Sequence, residues 1–168
     1  MKTISILLIA GLLVLSACNK TTNQSLSPDE KVELAAEVSA TINNMIDGMK
    51  NIDIEQAFES KFLMDDDFKY IDIYGKVLTK DGFLKEAHGV FDNVEKIDFN
   101  FSVPVIRIID RNAAVVTITY SGKYFFPAST IAWPACGSTL VLQKIGNEWK
   151  VIHFHESIQA SEFVMTEL

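Results

Sequence analysis

The hydrophobic rhythm of the chain changes twice. Residues 4–15 form a nearly unbroken aliphatic run behind Lys2, too short to span a bilayer comfortably, which takes about 20 residues. After the polar stretch 19–27, apolar side chains return at Ala35, Val38, Ile42, Met45, Ile46 and Met49. That spacing of three and four marks one face of a helix. Ser27-Pro28-Asp29-Glu30 supplies an N-cap, a proline at the first helical position and a glutamate three residues after the cap. The pattern predicts a long helix from Pro28 to near Lys50, with Gly48 weakening its last turn. Ile54, Ala57, Phe58 and Phe62 predict a short second helix over 53–62. Phe83, Leu84, Ala87, Val90 and Phe91 predict a third, from about Thr79 to Asn93, after a strand over 68–74 closed by Gly75.

From Lys96 the period shortens to two. A strand is predicted over 96–109, where Pro104 demands a bulge or an edge position. Asp110-Arg111-Asn112 reads as a turn, and a second long strand follows over 113–126. Residues 127–134 read as a loop. Strands over 137–145 and 148–157 then form a hairpin about Gly146-Asn147, and residues 158–168 show no clear period. Helices first and an antiparallel meander afterwards give an α+β fold: a cone-shaped, curved antiparallel sheet packed on three N-terminal helices. The inside of such a cone is a natural pocket.

Composition narrows the picture. The chain has 168 residues, 48% of them hydrophobic, and a formal net charge of -7, enough for one domain with a core. An acidic balance without a Lys/Arg cluster argues against nucleic acid and against electrostatic attachment to anionic lipid. No Ser-His-Asp signature, phosphate-cradling glycine loop or nucleotide fingerprint occurs, and no cofactor is expected.

The N-terminal run has a basic start and a small-residue exit, the pattern of a secretory signal. Leu15-Ser16-Ala17-Cys18 resembles the lipobox of bacterial lipoproteins, in which the cysteine is lipidated and becomes the first residue. The resemblance implies a signal peptide over 1–17, lipidation of Cys18, and a polar tether over 18–27 that reaches about 30 Å at most. Cleavage would remove Lys2 alone among charged residues, leaving 14 basic against 22 acidic, a net charge of -8. Asn19 after the cysteine is not the aspartate of the enterobacterial inner-membrane retention signal. The expected location is therefore the cell envelope, on the periplasmic face of the outer membrane. With Cys18 taken by lipid, no intrachain disulfide is available, and Cys136 reads as a small buried hydrophobe.

Trp149-Lys150-Val151-Ile152-His153-Phe154-His155-Glu156-Ser157 resembles the closing strand of the nuclear transport factor 2-like superfamily, also described as cystatin-like. It is nearest to SnoaL-like domains and to the association domain of calcium/calmodulin-dependent kinases. The order of elements fits as well, placing the domain over 28–157 with a tail over 158–168. The superfamily includes isomerases, cyclases, binding modules and oligomerisation hubs, so the resemblance implies a fold rather than one activity. Two departures bear on function. Where the kinase association domain carries carboxylate-binding arginines, this chain has Glu156 and, by best match, Leu140. An acidic and an apolar residue do not pair with an anion.

The candidate ligand-binding residues are Tyr70, Tyr120, Trp133, Leu140, Phe154 and Glu156. Glu156 is placed on a face with Ile152 and Phe154, where an apolar wall would raise its pKa; the alternative is exposure at a strand end. Tyr70, Tyr120 and Tyr124 could supply hydroxyl donors, and the superfamily's isomerase-like sites pair a carboxylate with a tyrosine. His153 and His155, two apart on a strand, share a face opposite Glu156. His88 is the only other histidine, so no metal site is expected. Three functions fit. The first is an anchored domain binding a small, neutral or weakly cationic, partly apolar molecule. The second is a SnoaL-like isomerase or cyclase with Glu156 as catalytic general base. The third is a ligand-free module that forms a homodimer through its sheet.

Overall fold

A computed structural model describes residues 25–63 and 67–158 of the chain. The signal run, Cys18, nearly all of the tether, Asp65, Asp66 and the tail beyond Ile158 lie outside the described residues. Among the described residues no helix is long and apolar enough to cross a membrane.

The first helix, α1 (Pro28–Asn51), starts where the cap signal places it. Glu30 N–H donates to Ser27 Oγ at 3.2 Å, and Ser27 N–H donates to Glu30 Oε2 at 2.8 Å. These contacts, with Arg111 donating to the same carboxylate, hold the Glu30 carboxyl down to about 2. The helix buries Val38, Ile42 and Met45, the face its period marks. It ends at Ile52, whose left-handed backbone (φ 59°) turns the chain sharply. Gly48 has a packing reason that periodicity does not reveal. A Cβ there would stand 2.4 Å from the backbone nitrogen of Ala57. Only glycine lets the next element sit so close. That element, expected as a short α-helix over 53–62, is a single π-helical turn, Glu55–Glu59.

Next come β1 (Lys69–Ile71) and β2 (Val77–Leu78), a short hairpin around Gly75 (φ 80°). Helix α2 (Lys80–Phe91) follows, capped by Thr79 and burying Phe83 and Phe91. The expected strand over 96–109 is two strands, β3 (Lys96–Phe101) and β4 (Val105–Asp110). Both pair antiparallel with β5 (Ala113–Phe126), and Pro104 falls in the break between them. Proline has no N–H to give a ladder, so the chain interrupts there.

Residues 127–134 are not a loop. Strand β6 runs Ser129–Ile145 and pairs with β5 down to Phe126↔Ser129. The ladder absorbs Pro134 by a bulge: Gly122 faces Trp133 and Tyr120 faces Cys136, so Pro134 and Ala135 together oppose Ser121. Strand β7 (Glu148–Ile158) closes the main hairpin around Gly146 (φ 61°).

The seven strands form one sheet in the order β2-β1-β7-β6-β5-β3, with β4 also on β5. All pairings are antiparallel except β1 beside β7, which is parallel. The helices therefore cover the inner face of a curved, mixed sheet. Polar ties fix α1 across it: Arg111 reaches Glu30 at 2.7 Å, and Glu37 takes Lys144 at 2.5 Å and Trp149 Nε1 at 2.9 Å. At one end of the cone the rings of Phe58, Phe62, Phe68 and Phe83 pack together, with Phe62 stacked on Phe68 at 4.7 Å.

Candidate functional site

The interior beyond that aromatic end is hollow. A cavity of about 220 Å³ lies between α1, α2 and the inner face of the sheet, with Met45, Phe83, Ile118, Leu140 and Phe154 in its walls. An engineered apolar cavity of about 150 Å³ takes up benzene, so this one has room for a single-ring molecule.

Each polar group at its inner end arrives by strand alternation. On β6, Cys136, Ser138, Leu140 and Leu142 are buried. On β7, Phe154 and Glu156 pair with Leu140 and Ser138. Glu156 is 8% exposed, so the strand-end alternative does not hold. The inward set is not the one expected, however. Val141 pairs with His153 while Leu142 pairs with Val151, which leaves Ile152 as the extra residue of a β-bulge. Trp149 and Val151 are buried before the bulge, and Phe154 and Glu156 after it. Ile152 is half-buried and does not belong to the Phe154–Glu156 alternation. A bulge shifts the phase by one residue, and nothing in the sequence marks it.

Two tyrosines meet the Glu156 carboxyl. Tyr70, from β1, donates to Oε2, and Tyr120, from β5, donates to Oε1; both hydrogen bonds are buried. The parallel pairing Tyr70↔Phe154 sets Tyr70 beside the acid. Burial pushes the Glu156 carboxyl above its ordinary range, and the Tyr120, Tyr70 and Ser138 hydroxyls pull it part of the way back. Although Ser138 lies close enough to act on that charge, its Oγ satisfies no hydrogen-bond geometry; we regard it as a neighbour rather than a third bond. The same burial, then the Glu156 charge, raises the Tyr70 and Tyr120 hydroxyls well beyond the physiological range. At neutral pH the tyrosines are the donors and the carboxyl is their shared acceptor.

All six residues singled out from the sequence, Tyr70, Tyr120, Trp133, Leu140, Phe154 and Glu156, line this one cavity. Sequence reasoning omitted the helical side of the wall, Ile42, Met45, Ile46 and Met49 from α1 and Phe83, Ala87 and Val90 from α2. Helix periodicity marks these positions as core, and no signal separates core that touches a hollow from core that does not. Tyr124 also lines the cavity. The histidines stand elsewhere: His153 is half-buried and His155 exposed on the outer side of β7, while His88 Nε2 contacts Glu59 at 2.8 Å. Among the described residues no group of three or more His, Cys, Asp or Glu side chains could hold a metal ion. Cys136 is buried.

Comparison with known proteins agrees with this geometry. Residues 38–161 match the family model of the SnoaL-like domain. No curated protein sequence matches the chain. Among solved structures, a nuclear transport factor 2-like superfamily protein from Salmonella enterica serovar Typhimurium is similar at 18% identity with a TM-score of 0.63, covering 82% of this chain and 99% of that one. A protein with a cystatin-like fold from Caulobacter vibrioides is similar at 17% identity with a TM-score of 0.63, covering 76% and 90%. A ketosteroid isomerase-like protein from Erwinia carotovora atroseptica is similar at 17% identity with a TM-score of 0.59, covering 73% and 93%. Identities this low speak for the fold alone. The family match spans most of the chain and takes in both the cone and the strand that carries Glu156, so the chain belongs to the SnoaL-like domain family and has the fold of nuclear transport factor 2-like proteins.

Proposed function

We propose that the cavity binds a small, neutral or weakly cationic, partly apolar molecule. The observation that carries this reading is the buried Glu156 carboxyl in a mostly apolar hollow whose lining, among the described residues, holds no cationic side chain. An anionic ligand would have to desolvate beside an acid with no cation opposite it, which is costly. An uncharged ring can cover the walls of Met45, Phe83 and Phe154 and still meet a polar group. The test is mass spectrometry of small molecules that co-purify with the soluble form starting after Cys18. A neutral or basic compound held stoichiometrically, and lost when Leu140→Trp fills the hollow, is the expected result. Recovery of carboxylates or phosphates instead would overturn it.

The raised pKa of Glu156 favours a second reading, in which the same carboxyl acts as a general base on the bound molecule. Glu156→Gln keeps size and much of the hydrogen bonding but holds no exchangeable base. Turnover of the co-purified compound should collapse in this variant if the domain is an enzyme, while binding persists. Unchanged turnover removes the base role.

The N-terminal sequence supports a membrane anchor at Cys18, on the outer-membrane periplasmic side of the cell envelope. Labelling cells with a radioactive fatty acid should mark the wild-type chain and not Cys18→Ser; equal labelling of the two would rule the anchor out.

A further inference from the structure

Several surface glutamates of this molecule meet a cation: Glu30 meets Arg111, Glu37 meets Lys144 and Glu59 meets His88. Two glutamates line the cavity. Glu86, on α2, is half-exposed and has Lys76 at 2.7 Å. Glu156 is the most buried of all these, and the groups that face it carry no positive charge. They are the Tyr70 hydroxyl from β1, the Tyr120 hydroxyl from β5 and Ser138 from β6. After burial itself, the charge of Asp72, another acid, also raises its pKa. Both carboxyl oxygens accept a phenol proton, an arrangement that suits the ionised form. Neutral donors lessen the cost of a buried charge, and a counter-charge lessens it further.

Around that carboxyl the lining is aromatic: the rings of Tyr70, Phe83, Tyr120, Tyr124, Trp133 and Phe154 share the hollow with Glu156. A ring face attracts a cation, most strongly where water is excluded, and several rings about an organic ammonium make a cage for it. Phe83 and Phe154 stand at 79° to each other, and Tyr124 and Trp133 at 82°, so the walls take more than one orientation. Resting on the binding reading above, we infer that the ligand is a small organic cation, an amine or quaternary ammonium, whose charge sits among these rings with Glu156 as its counter-ion. A neutral ring would fill the hollow and leave the acid uncompensated. A bare metal ion would need further oxygen or nitrogen ligands, and these walls are mostly hydrocarbon. The ligand class thus narrows from neutral or weakly cationic to cationic, and the buried acid gains a role that requires no reaction.

The test uses choline and 3,3-dimethylbutan-1-ol, which share a skeleton and a hydroxyl and differ in a quaternary nitrogen replacing a carbon. Affinities are measured on the full chain by titration calorimetry, for the wild type, Glu156→Gln, Glu86→Gln and Leu140→Trp, the last filling the hollow. At alkaline pH the wild type should prefer choline by about tenfold or more, the scale of a desolvated cation–π contact beside a counter-charge. Choline keeps its charge at every pH, so a preference that fades as pH falls to about 4 reports a protein carboxyl gaining its proton. The preference should vanish in Glu156→Gln. In Glu86→Gln both the preference and its fading should persist, which assigns them to Glu156. Should Glu156→Gln fail to fold, the wild-type pH series decides, and a preference constant across it overturns the inference. If both probes bind the wild type equally, the cationic assignment falls and the pocket stands. A preference lost in Glu86→Gln and kept in Glu156→Gln puts the counter-charge on α2 and overturns the role of Glu156. If neither probe binds, or Leu140→Trp binds both as the wild type does, the pocket reading and this inference fall together.

Discussion

Replacing Tyr70 by phenylalanine removes one hydroxyl from the polar end of the cavity and leaves its ring. That ring packs at 4.7 Å from Phe83 and 5.1 Å from Phe154, so Tyr70→Phe tests the hydrogen bond to Glu156 with the packing kept. Such a bond contributes about 1.5–3 kcal/mol when the acceptor is ionised and about 0.5–1.5 kcal/mol when both partners are neutral. The cost of the substitution therefore tracks the charge on Glu156. Burial raises the folded carboxyl above its ordinary value of 4.5. Below that value the group is protonated in both folded and unfolded chains, and the cost sits in the lower range. As pH rises through the raised folded pKa, the carboxyl ionises inside the protein and the cost climbs to the upper range. Losing the hydroxyl also removes a group that holds this pKa down, so the gap widens between the wild type's folded pKa and the variant's higher one. Urea unfolding of both proteins, stepped from about pH 4 to about pH 9, reads the effect as a widening gap in midpoint. At the upper end a loss of about 2 kcal/mol corresponds to about 8 °C in Tm for a domain of this size. A gap that stays flat across the range, or closes as pH rises, would refute the donor role of Tyr70.

Other outcomes follow from the same contacts. In the wild type, Glu156 holds more protons folded than unfolded between 4.5 and its raised value, so stability declines as pH rises through that window; Glu156→Gln should flatten this slope in the same urea series. Phe62 is 1% exposed and its ring touches those of Phe58, Phe68 and Phe83; Phe62→Ala should cost about 3–5 kcal/mol by chemical denaturation. At Gly122 a Cβ would stand 2.1 Å from the Asp98 carbonyl oxygen and 2.4 Å from Phe99 Cδ1. Gly122→Ala should therefore push β3 off β5 at a cost of about 1–3 kcal/mol, read as a lower urea midpoint.

The fold was legible wherever one residue's chemistry decides a local conformation. Ser27, Pro28 and Glu30 start α1 because their side chains and fixed φ satisfy an otherwise orphaned helix end. Gly75 and Gly146 mark turns whose positive φ other residues resist. Pairing across long sequence separations was not legible. Strand β1 joins β7 in parallel, over more than eighty residues, and no periodicity within either strand states that partner. Residues 127–134 misled for a definite reason. Pro127 and Pro134 punctuate them like a loop, yet the second proline sits in a bulge where no ladder N–H is required.

The site shows the same division in a sharper form. Strict alternation on β7, continued from the buried Trp149 and Val151, would turn His153 and His155 toward the hollow and leave Phe154 and Glu156 facing solvent. The bulge at Ile152 reverses this and lets one strand bury Trp149 and Val151 beneath α1 and still present Glu156 to Tyr70 and Tyr120. Sequence reasoning reached Glu156 by way of Phe154, whose burial is legible, and by way of the family resemblance. It did not reach the reason that the acid is held. That reason is distributed over three strands that are distant in the chain, each supplying one oxygen-bearing side chain to a space no larger than a carboxyl group and two phenols. Removing the bulge would exchange an acidic floor for an imidazole floor with the composition of the chain unchanged, and the ligand class would change with it.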